Sequence, residues 1–338
     1  MRKYFAYAFK KRIWTLVLLC CVCALPYMVM TSSMRMVWEY TGEYDGIKER
    51  IIYSPNLSFV LVIGMLLTFI TPIMVYSFKM KKRSVDCYYA LPIKKEKLYL
   101  AETMVGLCLT LIPFTVAYWG GFFALWIRPD NPYHMIWYLP AYFTFLAFLI
   151  FLYGWNAFAF TRANSVGDGI VFMFAYTFIL FVVTSSVASV FNWEGLDWGF
   201  CVHTMPPAGM FSFGEAIEWL IRGDAAAADW AISGYIIPVI LGIFGYFILF
   251  FNLRFERAEN AEQVSDSWFG YKVVIPVYTI CLLGLWEGLG EALLFVMIVL
   301  AAVISTIVYQ RKFRFSWKYW LMIGGALTLG LIFAAMNT

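Results

Sequence analysis

Residues 79–102 read KMKKRSVDCYYALPIKKEKLYLAE and stand between two long apolar runs. Seven Lys and Arg face two acids before the next apolar run opens at Leu98. Basic residues this close to membrane spans mark a cytoplasmic segment. Its middle carries a second pattern. Ser84 suits a helix N-cap, and Asp86 falls in the first turn, where a carboxylate favours the helix dipole. Val85, Tyr88, Tyr89 and Leu91 follow as an apolar–aromatic cluster. Pro92 stops the short helix and suits the first turn of the next. The expectation is a two-turn helix across the cytoplasmic ends of two spans, with an aromatic face free to dock onto a cytosolic partner. The plainer reading is a basic connector whose tyrosines rest at the lipid interface.

Composition sets the surroundings of that segment. Of 338 residues, 62% are hydrophobic and only 14% charged, against roughly 25% charged in ordinary globular chains. Mean hydropathy is +0.75. Apolar runs of span length without strand alternation mean helices in lipid, not a barrel. The formal charge of +4 is no nucleic-acid signature, because the basic residues lie in juxtamembrane blocks. Neither G-x-x-x-x-G-K-[ST] nor a strand-borne G-x-G-x-x-G occurs, so no nucleotide-binding domain is expected in this chain. The first apolar run is span-length and no A-x-A-like site follows it, so it reads as a membrane helix, not a cleaved leader. Cys20, Cys21 and Cys23 within it read as small packing residues, and no structural disulfide is expected among the seven cysteines.

Working outward from 79–102, residues 1–12 (MRKYFAYAFKKR) read as an amphipathic helix on the cytoplasmic surface. Spans are expected at Ile13 to about Thr31 with a kink at Pro26, at Leu57–Phe78 interrupted by Pro72, and at about Leu98–Ile127 with a break or tilt near Pro113 or Gly120–Gly121. Further spans follow at about Ile136–Phe160, Ile170–Phe191 and Ile232–Phe251. Ser185, Ser186, Ala188 and Ser189 form a small-residue patch suited to a helix–helix or subunit seam. Residues 192–230 hold six acids and one base and read as an outer loop. There Ser212 and Glu215 form a capping box opening an amphipathic helix with Phe213, Ile217, Leu220 and Ile221, dipping into the outer leaflet. Residues 252–272 read mainly as a solvated linker. Val273–Leu289, about Ala292–Tyr309 and Tyr319–Ala335 complete nine spans, N-terminus inside. This assignment puts 20 of the 25 Lys and Arg in cytoplasmic segments and 5 outside, the sense that sets orientation.

Few residues could carry chemistry. His134 and His203 lie apart in outer loops, and no Cys/His/carboxylate set has metal spacing. Glu102, in the first turns of the third span, reads as an interfacial carboxylate paired with a lysine or as part of a transport path. Glu287 and Glu291, at i and i+4 in WEGLGE, read as a wet turn between glycines or as a proton relay. The aromatic load serves the interfacial belt and lipid packing, or a cavity for a lipid-like molecule.

The basic run 79–83, S-x-D at 84–86, the pair Tyr88–Tyr89, A-L-P-I at 90–93 and K-K-x-K-L-Y at 94–99 together resemble the intracellular loop between the second and third spans of permease subunits of bacterial type-2 (type V) ABC exporters. The resemblance implies a single transmembrane domain, 1–338: the 1–12 surface helix, a six-span core at 13–251, then a cytoplasmic loop and three additional spans at 252–338. It implies that the short helix is a coupling helix, docking a separate ABC ATP-binding subunit through Val85, Asp86, Tyr88, Tyr89, Leu91 and Pro92. Lys81, Lys82, Arg83, Lys94 and Lys95 would flank the contact. It also implies surface or re-entrant helices between the fifth and sixth spans. The expected function is a non-enzymatic permease in the bacterial cytoplasmic membrane that exports an amphipathic, lipid-like or peptide substrate. ATP and Mg would be bound by the partner and no cofactor by this chain. A second permease subunit and membrane lipid, but no nucleic acid, complete the expected partners. The last three spans and the long first outer loop depart from the family. An ion- or proton-coupled transporter using Glu287 and Glu291 is the alternative, although no internal repeat is visible. A lipid-modifying enzyme lacks any visible catalytic set.

Overall fold

The computed structural model describes residues 2–33, 57–127, 135–191, 198–221, 228–255, 258–263, 265, 267, 269–285, 292–310 and 317–337. Among them the chain is helical, with no strand. In chain order the α-helices are α1 (Arg2–Lys11), α2 (Ile13–Ser33), α3 (Leu57–Tyr76), α4 (Lys82–Tyr89), α5 (Lys95–Trp126), α6 (Met135–Thr161) and α7 (Val166–Phe191). They continue as α8 (Trp198–His203), α9 (Pro206–Ile221), α10 (Ala228–Phe251), α11 (Tyr271–Gly284), α12 (Ala292–Gln310) and α13 (Trp317–Asn337).

Six of these are long and apolar enough to cross a membrane: α2, α3, α5, α6, α7 and α13. Shorter apolar helices occupy the sixth, seventh and eighth expected spans, over Tyr235–Phe251, Tyr271–Gly284 and Phe295–Tyr309. The seventh, expected to reach Leu289, ends at Gly284, and its 14 residues rise only about 21 Å against a hydrocarbon core of about 30 Å. Large apolar side chains such as Trp14, Leu18, Phe247 and Leu321 are exposed on helix flanks, as lipid-facing residues must be.

The prolines do not break the helices. α2 continues through Pro26, α3 through Pro72 and α5 through Pro113, so the expected interruption of the second span and break of the third do not occur. In lipid, neighbouring helices and hydroxyl side chains re-satisfy the freed carbonyls. Pro72 frees the Thr68 carbonyl, to which Asn156 Nδ2 on α6 donates at 3.3 Å; beside it Thr71 donates to the Leu67 carbonyl and is within 2.7 Å of the Thr110 hydroxyl on α5.

Two buried clusters lie at opposite ends of the bundle. α2 gives Leu16 to one and Tyr27 to the other; α3 gives Val75 and Tyr76 to the first and Val60 and Leu61 to the second. α5 divides likewise between Tyr99 and Phe114, and α6 between Phe160 and Phe145. Successive long helices therefore run antiparallel. The first cluster also holds Leu253, Tyr271 and Tyr309, at the facing ends of the last segments. Residues 2–12, 79–97 and 161–169 adjoin it, so it is called here the basic end.

Close helix pairs use small residues. A Cβ on Gly242 of α10 would stand 2.5 Å from the Phe151 Cα of α6, and one on Gly245 would stand 2.8 Å from the Gly154 carbonyl oxygen. The small-residue patch on α7 meets α11: Ser185 and Ser186 are buried, and a Cβ on Gly284 would lie 2.5 Å from the Ser186 Oγ. That patch is thus a seam inside the chain.

Candidate functional site

α3 tightens into a 3₁₀ turn at Ser77–Met80, which buries Phe78 and Met80 and turns the chain sharply at the basic end. α4 starts directly afterwards, with Lys81 as its N-cap and no side-chain cap of its own. Ser84 is therefore inside the helix, not its N-cap, and Asp86 is outside the first turn. The 3₁₀ turn supplies the entry geometry instead, through Ser84 and Val85 N–H groups that donate to the Lys81 carbonyl. α4 closes with the Ala90 N–H on the Asp86 carbonyl at 3.0 Å. α5 begins at Lys95, three residues beyond Pro92, so Pro92 sits in the bend and not in the first turn of α5.

The helical period divides α4 into two faces. Val85 is 1% exposed, and Tyr88 stacks on Phe78 with ring centroids 4.3 Å apart. The Tyr89 hydroxyl is 3.2 Å from that of Tyr99, and the Lys95 Nζ lies 4.6 Å from the Tyr89 ring centroid. The aromatic face is therefore turned toward the molecule, with Tyr88 and Tyr89 half-buried. Residues with i, i+3 and i+4 spacing share a face, but the period does not say which face looks outward. Lys82, Arg83, Asp86, Cys87 and Ala90 form the exposed face, and Lys81, Leu91, Pro92, Lys94 and Lys95 are exposed beside it.

The same end of the bundle holds a buried ion pair. Glu102 is fully buried; its Oε2 accepts from Arg12 at 2.8 Å and its Oε1 from the Tyr4 hydroxyl at 2.5 Å. The expected lysine partner is thus an arginine, at the junction of α1 and α2. Burial, then the bond to Glu102, pushes the Tyr4 phenol well above its ordinary range. The contact holds α1 against α5, with Ala8 buried between them and Phe5 stacked on Phe9. Lys79 donates to the Thr161 carbonyl, which joins the foot of α3 to that of α6. The Tyr76 hydroxyl meets Thr103 at 2.7 Å.

The described part of the 252–272 segment is not solvated throughout: Glu259, Asn260, Glu262 and Gln263 are exposed, but Leu253, Gly270 and Tyr271 are buried. Ala261 and Ser265 are buried, and the Ser265 hydroxyl donates to the Arg162 carbonyl at 2.6 Å. Tyr309 of α12 donates to the Ser265 carbonyl at 2.6 Å, and Tyr176 of α7 to the Phe269 carbonyl at 2.8 Å. Short polar stretches read as solvated by composition alone, and nothing local in this one signals the tyrosines of α7 and α12 that bond to it.

At the far end, α9 begins at Pro206, a favoured first helical position. Ser212 is interior to it, donating to the Ala208 carbonyl at 3.0 Å, so the capping box does not open this helix. Phe213 packs on Phe145 and Tyr235 at 6.2 and 5.3 Å between centroids. The side chains of Glu215, Ile217 and Leu220 lie outside the described residues, as do Glu287, Glu291 and His134. His203 is buried at the end of α8 and does not stand in an open loop. No group of three metal-ligating side chains occurs among the described residues.

Compared with family models, curated proteins and solved structures, the chain matches none. What the chain offers is geometry: a short helix whose aromatic back rests on Phe78 and Tyr99 and whose front is charged, at the basic end of a helical bundle.

Proposed function

We propose that this chain is the membrane-spanning permease subunit of an ATP-driven exporter of the type-2 ABC class, and that α4 receives the motion of a separate ATP-binding subunit. The observation that carries this reading is the seating of α4 between α3 and α5. Its aromatic side is anchored on Phe78 and Tyr99, and its opposite side presents Lys82, Arg83, Asp86 and Cys87. A freely hinged loop would absorb a push, whereas a helix fixed to two long apolar helices passes it on. The docking contact is therefore the charged front and the exposed Leu91–Pro92 tip, with Tyr88 and Tyr89 as its footing. Lys81, Lys82, Arg83 and Lys94 favour an acidic rim on the partner.

In this reading the basic end faces the cytoplasm of a bacterial cell, and two permease subunits enclose the pathway for an amphipathic or lipid-like cargo, the second a copy or a related chain. ATP and Mg belong to the partner. The test is co-expression with ABC ATP-binding subunits from the source organism. Lys82→Glu with Arg83→Glu is expected to leave the chain inserted but lower co-purification and stimulated ATP turnover at least tenfold. Unchanged capture and turnover in that double variant, or uphill cargo movement by the chain alone in nucleotide-free vesicles, would falsify the docking role.

A further inference from the structure

The N-terminus of α4 is capped from elsewhere in the chain. Its own N-cap residue, Lys81, makes no side-chain cap bond. Instead the Lys82 backbone N–H donates to the Oε1 of Glu262 at 3.4 Å, across 180 residues. That arrangement supplies an acceptor to an orphan helical donor and a negative charge at the positive end of the helix dipole. Glu262 adopts φ = +66°, the sole positive φ outside glycine among the described residues. A glutamate persists in that region when its surroundings over-determine it. Here the Glu262 N–H is tied to the Asn164 carbonyl at 2.9 Å. Two bonds farther along the connector, Ser265 to Arg162 and Tyr309 to Ser265, fix it to the foot of α6 and to α12. The Tyr271 ring at the start of α11 packs on Tyr309 at 4.5 Å between centroids.

We infer that Glu262 is a positioning residue that caps α4 in trans, and that the connector with the helices behind it holds α4 at its resting place. The three C-terminal helices are thus not an appendage: through Tyr309, Ser265 and Glu262 they reach the docking helix and oppose its displacement. Only the consequence for transport rests on the proposed function. The mechanical link stands on this chain alone and is tested on it alone.

The probe is a nitroxide on Cys87, which is exposed and unpaired on the front of α4, in full-length protein in lipid nanodiscs with the other six cysteines replaced. Hydrogen exchange over 81–90 gives a second readout. Glu262→Gly removes the carboxylate and suits the backbone, so the fold is retained. It is expected to speed exchange at the first amides of α4 about fivefold, as loss of a helix cap does, and to sharpen the Cys87 spectrum. Glu262→Gln, which keeps an acceptor without the charge, is expected to do so less, and Glu259→Gln on the same connector not at all. Tyr309→Phe is expected to loosen Cys87 from the far side of the link. Wild-type exchange and spectra in Glu262→Gly would overturn the cap, and wild-type spectra in Tyr309→Phe would overturn the share of the C-terminal helices. If α4 loosens as expected while no ATP-binding subunit is ever captured, the docking reading fails and the positioning role stands.

Discussion

Glu102 shows what a single carboxylate does when lipid and protein leave it no water. Both its oxygens are spoken for, one by Arg12 and one by Tyr4. Removing it therefore strands a guanidinium and a phenol at once. Glu102→Ala is expected to lower stability by on the order of 3 kcal/mol, since breaking a buried pair leaves the other charge uncompensated. Arg12 is 15% exposed at its side chain, and that residual hydration keeps the loss at the low end. Replacing both partners by Met is expected to recover most of it. Thermal unfolding in detergent of wild type, Glu102→Ala and the Arg12→Met with Glu102→Met double variant checks both statements, and equal losses in the two variants would contradict them. The carboxylate itself was legible in the sequence as an acid early in an apolar run. Its partner was not: Arg12 is 90 positions away, and nothing in either segment says that the junction of α1 and α2 meets the start of α5.

At the scale of the element, α4 was legible as a short helix between basic flanks, and its inner residues do share one face. Where that face points was not legible, because periodicity groups side chains without saying which group finds a surface. The deciding neighbour is Phe78, in the turn just upstream, whose ring is in place only because α3 ends in a 3₁₀ turn. The same blindness to what precedes a helix made Ser84 and Ser212 look like caps, when each helix had already begun. Tyr88→Ala is expected to free α4 locally by about 1–2 kcal/mol, the worth of a part-buried ring with a stacking partner, and Tyr88→Phe by far less. Limited proteolysis within 81–94 reads the difference. Equal cleavage of wild type and Tyr88→Ala would mean that the stack does not hold the helix.

For the whole molecule, hydropathy revealed the apolar segments, and the two end clusters show α2, α3, α5 and α6 alternating in direction. Crossing partners lay beyond reach, since lipid-facing and helix-facing residues are equally apolar. Small residues were the only hint, and they act unequally. Gly242 and Gly245 let α10 rest against the backbone of α6, whereas a Cβ on Gly324 or Gly325 of α13 would meet nothing within 4 Å. Gly242→Leu is expected to separate α6 from α10 and abolish monodisperse protein. Gly324→Ala is expected to leave the melting temperature unchanged or slightly raised, because alanine favours the helix. Size-exclusion profiles and thermal melts of the two variants test the contrast, and a tolerated leucine at 242 would refute the close crossing.

α5 runs 32 residues without a break, about 48 Å at the usual rise, and so exceeds the hydrocarbon thickness by more than three turns. A tilt of about 10° at the foot, where Tyr99 backs Tyr89 and Glu102 grips α1, would sweep the opposite tip through roughly 8 Å. Because α5 stays helical through Pro113, a displacement at its foot has one unbroken helical path to its far end.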